Sequence, residues 1–165
     1  MRVRAVHGLE KQFRGRAAGA ALFAFAYSAT ALADDVKIRD GLDIISANGS
    51  HHFSVEVAND DATRARGLMF RTAIGDDEGM LFSYGNLHPV TLWMHDTFIP
   101  LDMVFIGGDG RISHINALAE PLSEAHISSE GDVQAVLEIK GGRAAELGIG
   151  VGDKVVHPAV KQLSP

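Results

Sequence analysis

Between His52 and Ala58 apolar and polar side chains alternate, with Phe53, Val55 and Val57 on one face and Ser54 and Glu56 on the other. A period of two predicts a strand covered on one side. Gly79 to Tyr84 (GMLFSY) and Val133 to Ile139 (VQAVLEI) read as further strands, the second with Glu138 set among apolar neighbours. Leu101 to Ile106 is apolar almost without a break, as in a strand covered on both faces, but carries Asp102 inside the run. Lys154 to His157 reads as a last strand, and the patch Leu42, Ile44 and Ile45 as an edge strand before a hairpin turn at Asn48-Gly49.

Two short helices interrupt the strands. Asn59-Asp60-Asp61 offers capping oxygens and negative charge, and Arg64, Arg66 and Gly67 close the same segment with positive charge and a glycine stop. Gly142 to Leu147 makes the second helix, stopped by Gly148. Leu68, Met69 and Phe70 read as core, Ala73 to Glu78 as a polar loop and Gly85-Asn86 as a turn. Gly107-Gly108-Asp109-Gly110 joins Leu101 to Ile106 with Arg111 to Leu118, whose poor alternation predicts a bulge or an edge position. Glu120 to Asp132 reads as a surface excursion. Most connections are too short for parallel βαβ units. The expectation is a mainly β fold, a compact β-barrel or sandwich of about seven short strands with two short helices.

The stretch TLWMHDTFIPLDMVFI, residues 91 to 106, concentrates the chemistry. In an extended segment Thr91, Trp93 and His95 share one side, and Leu92 and Met94 the other. Pro100 cannot donate to a ladder, so the chain must bend or end between Asp96 and Pro100. An unpaired buried carboxylate is costly, so Asp102 must find donors. The nearest in sequence are Thr97, His95 and the amides of the bend. Asp102 is then either a structural carboxylate tying down the loop or a member of a polar site.

The N-terminus changes the picture. Arg2, Arg4, Lys11, Arg14 and Arg16 precede an apolar, alanine-rich stretch that ends in Ala31-Leu32-Ala33, the pattern of a secretory signal peptide over residues 1–33. Residues 17 to 33 are short and interrupted for a permanent membrane anchor. Cleavage after Ala33 removes five of the 15 basic and one of the 21 acidic residues, taking the net charge from −6 to −10 over a single globular domain at 34–165. Nucleic acid and anionic membrane surfaces are held by clustered positive charge, so neither is expected as a partner. The expected location is periplasmic or secreted. With no cysteine in the chain, the domain must hold together by its core.

An ordered series of motifs runs through the mature chain: F-x-V-x-V (53–57), R-x-x-G-L-M-F-R (64–71), G-M-L-F (79–82), W-M-x-x-T-x-I-P-L-D-M-V-F-I (93–106), V-L-E (136–138) and G-I-x-x-G-D-x-V (148–155). It resembles the bacterial and archaeal family known as domain of unknown function 192, over about residues 50–157. The resemblance implies a compact, mainly β fold and often an exported location, and it supplies no activity. Its motif positions here include Arg64, Gly67, Met69, Trp93, Thr97, Pro100, Asp102 and Glu138. Members commonly carry a basic residue and then Asn before the Thr, where this chain has His95 and Asp96.

GIGVGD at 148–153 runs from helix into strand, the reverse of a dinucleotide-binding loop, and reads as a turn. His51-His52 reads as an exposed turn pair. The preferred reading is a small-ligand-binding module with a polar site where the Arg64 helix meets the bend after Trp93. Trp93 would supply a stacking surface, and Thr97, Asp102 and the Arg64 or Arg71 guanidinium would orient the ligand. One alternative is a hydrolase-like enzyme with His95 as base and Asp96 or Asp102 as its partner. Another is a transition-metal site drawing on His95, His114, Met94 and Met103. Cofactor, ligand identity and oligomeric state are not fixed by the sequence.

Overall fold

The computed structural model describes residues 39–162, so the expected signal peptide at 1–33 lies outside the described residues. The elements are β1 (Arg39–Ser46), β2 (Gly49–Ala58), α1 (Asp61–Arg66), β3 (Glu78–Leu92), β4 (Leu101–Ile106), β5 (Ile112–Ala119), β6 (Ile127–Lys140), α2 (Arg143–Leu147) and β7 (Lys154–Val156). The seven strands form one mixed sheet in the order β5-β4-β6-β3-β2-β1-β7. Only β2 and β3 run parallel, joined by residues 59–77 with α1 among them.

The sheet is a strongly curled half-barrel whose edges touch at one end. Arg111, just ahead of β5, bridges Lys154 of β7, and Val155 N–H donates to the Gly110 carbonyl at 2.9 Å. The edges are therefore β5 and β7. β1, expected at an edge, lies between β2 and β7, because local burial of Leu42 and Ile44 fixes their exposure but not their neighbours.

Strand periodicity gives the sheet two apolar faces. Leu42, Phe53, Leu81, Val104, Leu137, Ile139 and Val155 fill the inside of the curl. Met80, Phe82, Met103, Phe105 and Val136 point the other way and are covered by Leu68, Met94 and Ile99 from the loops after α1 and β3. All six residues of β4 are buried, as its apolar run predicts. Each such aliphatic or aromatic side chain contributes about 1.5–3 kcal/mol when fully buried, enough for β4 to tolerate one carboxylate that is well supplied with donors.

Those donors are not the expected ones. Asp102 is fully buried, but its Oδ1 accepts the amides of Leu118 and Gly142 and its Oδ2 that of Ala144, each at 2.9 Å. Gly142 is the N-cap of α2 and has no side chain to offer, so Asp102 caps the helix from β4. The bend satisfies itself and its neighbours instead. Thr97 N–H donates to the Met94 carbonyl at 3.0 Å, Phe70 N–H to that of Asp96 at 2.8 Å and Leu122 N–H to that of Thr97 at 3.0 Å.

Two strands outrun their sequence signals. β3 continues from Glu78 through the expected turn at Gly85-Asn86 to Leu92, and ends before Trp93 and His95. Gly85, at φ 75°, falls within the register shift between Ser83 and His88, so the predicted turn is an irregularity within a strand. β6 reaches back to Ile127, leaving only residues 120–126 of the expected surface excursion between β5 and β6. Gly79 permits the close approach of β3 to β6, since a Cβ there would lie 2.7 Å from the Glu138 carbonyl.

Candidate functional site

α1 is held by its ends and buries none of its own residues. Asp60 Oδ1 accepts the Thr63 amide at 2.9 Å, the Asp60 amide donates to Thr63 Oγ1 at 3.3 Å, and Gly67 stops the helix at φ 48°. A Cβ on Gly67 would meet the Phe82 ring at 3.2 Å, so the glycine also lets the helix end settle against β3. The loop 93–100 faces this end. Between them lies a cleft of about 430 Å³.

Phe82, Leu68 and Leu92 supply apolar wall, and Trp93 stands half-exposed at the cleft. Arg64, Arg66, His95, Thr97, His126 and Glu138 bring the polar groups. Glu138 is 5% exposed. Its in-register neighbours are Met80 on β3 and Met103 on β4, side chains with no N–H or O–H to give. Among the described residues no side chain or amide hydrogen-bonds to the Glu138 carboxyl. Burial pushes it up to about 8, against the opposing pull of Arg71. At neutral pH this carboxyl is mainly protonated and can donate a hydrogen bond.

Arg64 donates to the Ser83 carbonyl at 2.9 Å and to Asp61 at 2.5 Å, and lies 5.5 Å over the Tyr84 ring. It does not touch Asp102. Arg66 is exposed and forms no ion pair among the described residues. The His95 ring sits 5.4 Å from that of Trp93, with Nδ1 2.6 Å from Glu124 and Nε2 3.3 Å from Asp96. The Glu124 hydrogen bond and charge, with a smaller contribution from Asp96, raise the His95 pKa. Burial pushes the Tyr84 hydroxyl, also at the cleft, up to about 12.

Of the eight candidate residues, the fold brings Arg64, Trp93, His95, Thr97 and Glu138 to one cleft. Arg71, Asp96 and Asp102 are outside its lining. Arg71 donates to the buried Glu56 at 2.6 Å and acts on Glu138 through its charge. The Asp102 placement follows from register. Met103 pairs with Glu138 and Asp102 with Ile139, so the Asp102 and Glu138 side chains leave the sheet on opposite faces. Of the two hydrolase partners expected for His95, Asp96 lies 3.3 Å from its Nε2 while Asp102 is on the far face of the sheet, and Glu124 makes the shorter contact at Nδ1.

The metal reading gains no cluster. Met94 and Met103 are fully buried in the core, His114 stacks on Phe105 at 5.6 Å, and no group of three or more His, Cys, Asp or Glu converges among the described residues. Sequence reasoning missed Arg66, Tyr84 and His126. The alternation of Met80, Phe82 and Tyr84 against Leu81 could have placed Tyr84 on the Glu138 face.

The profile of DUF192, described as Uncharacterized ACR, matches residues 44–157, most of the chain. The chain belongs to the DUF192 family. This DUF192 protein is similar to a protein of Sinorhizobium meliloti named as a candidate transcription regulator. The two share 41% identity over 73% of this chain and 95% of that one, with a TM-score of 0.71. It is also similar to a protein of unknown function from Novosphingobium aromaticivorans, at 44% identity over 72% of this chain and 85% of that one, with a TM-score of 0.71. No curated protein matches this chain.

Proposed function

We propose that this DUF192 protein is an exported small-molecule-binding protein and that the cleft between α1 and the loop 93–100 is its binding site. One observation carries the reading: the Glu138 carboxyl lines the cleft, buried and without a hydrogen-bond partner. A polar group taken from water without compensation costs on the order of 2 kcal/mol or more, a cost that a ligand in the cleft would offset. Trp93, half-exposed beside it, offers a face for stacking. Export rests on the N-terminal charge, the apolar stretch and the small residues before Asp34. A DNA-contacting role, in line with the name of the Sinorhizobium relative, is disfavoured by the net charge of −6, which opposes a polyanion.

Trp93 is the sole tryptophan of the chain, so its emission reports on the cleft directly. Screening envelope metabolites by thermal melt and Trp93 fluorescence should find compounds that raise the melting temperature and shift the emission, with both effects lost in Glu138→Ala. A library that leaves both readouts of the wild type unchanged would end the binding reading. Edman sequencing of protein recovered from the periplasm should begin at Asp34, and a start at Met1 would remove the export step.

A further inference from the structure

We propose that the ligand of this cleft is a small organic acid, its carboxylate received by the Arg64 and Arg66 guanidinium groups and the Glu138 carboxyl, and its apolar body laid against Trp93. The inference deepens the binding reading and rests on it. The groups at the cleft are asymmetric in charge. Arg64 spends one N–H on the Ser83 carbonyl and one on Asp61, leaving others of its five, and Arg66 has no ion-pair partner among the described residues. A guanidinium fork matches a carboxylate in shape and charge.

From the deep side Glu138 is surrounded by groups that favour its neutral form or leave it unopposed. Met80 and Met103 flank it on the adjacent strands and cannot stabilise a charge. Tyr84 on β3 has a hydroxyl that burial keeps protonated, and the opposing cation of Arg71 is engaged with Glu56. The remaining titratable groups at the cleft are His95, held by Glu124 and Asp96, and His126. A cationic ligand would have to ionise Glu138 in this apolar surround while lying beside two arginines and a histidine whose protonated form is favoured. An acceptor-bearing anion avoids both costs and supplies the partner that the Glu138 hydroxyl lacks.

Three probes of one shape separate the charge classes: benzoate, benzamide and benzylammonium, titrated against the full mature protein with Trp93 emission as readout. Benzoate should bind tightest at neutral pH. Its affinity should fall about tenfold per pH unit once Glu138 ionises, the slope of one linked proton. Glu138→Gln keeps a donor at the same place and should bind benzoate with that slope removed. Arg66→Ala, at an exposed position, should weaken benzoate but leave benzamide unchanged. Preference for benzylammonium would overturn the acid assignment while leaving the cleft as a binding site, and so would wild-type benzoate affinity that does not fall with pH or a pH slope that survives in Glu138→Gln. If none of the three perturbs Trp93 at millimolar concentration the acid assignment falls, and the metabolite screen decides the site independently.

Discussion

The Asp102 carboxylate accepts the Ala144 amide at 2.9 Å, so a strand residue caps a helix 42 positions further along the chain. The same carboxylate holds Leu118 and Gly142, which ties β4, the end of β5 and the start of α2 to one buried point. Removing it strands three backbone donors. Asp102→Ala should destabilise the fold by about 3 kcal/mol or more, and Asp102→Asn, which turns an amide toward an N–H, by about 2 kcal/mol. Chemical denaturation of the two variants measures this, and a loss below about 1 kcal/mol for Asp102→Ala would contradict the capping role.

Glu138 makes stability fall as pH rises. Its ordinary value is 4.5 and its folded value about 8, so between the two the folded state holds a proton that the unfolded state has lost. The loss accumulates across that window to roughly 3–5 kcal/mol and levels off above it. Glu138→Gln should match the wild type near the lower bound and exceed it above the upper one. Denaturant midpoints taken across the window test the slope, and equal pH dependence in both proteins would place the proton elsewhere.

His95 owes its raised pKa first to the Glu124 hydrogen bond. Glu124→Gln should therefore lower it, leaving the weaker pull of Asp96. Ring-proton NMR titration reads the shift, and an unchanged midpoint would show that the pair does not persist in solution. What little stability the pair lends is present at acid pH and disappears as pH rises through the folded pKa, because it requires protonated His95.

Arg64 pairs with an exposed Asp61, not with Asp102. Arg64→Ala loses one hydrogen bond to Ser83 and a contact over Tyr84, worth about 1 kcal/mol in all, and strands no buried charge. A melt that drops as far as that of Asp102→Ala would mean that the helix is anchored through Arg64.

Much of the β character was legible because alternation in Phe53 to Val57 and the unbroken run of β4 are set by local pattern. The caps of α1 were equally local, since Asp60, Thr63 and Gly67 act within one short segment. The local pattern predicts shorter strands at β3 and β6 because Gly85, Pro89 and Gly131 are ordinarily breakers. In the fold those residues sit in bulged stretches where the partner strand continues the pairing.

The sequence by itself determined that Asp102 and Glu138 are carboxylates in apolar strands and that Arg64 and Trp93 stand near chain reversals. Only the tertiary structure decided which of them meet. Strand register places Met103 opposite Glu138, which sends Asp102 to the inner face to cap α2 and Glu138 to the outer face under the loops. A shift of one residue between β4 and β6 would bring both carboxylates to the same face, and pairing between residues 29 to 39 positions apart is written in no local pattern.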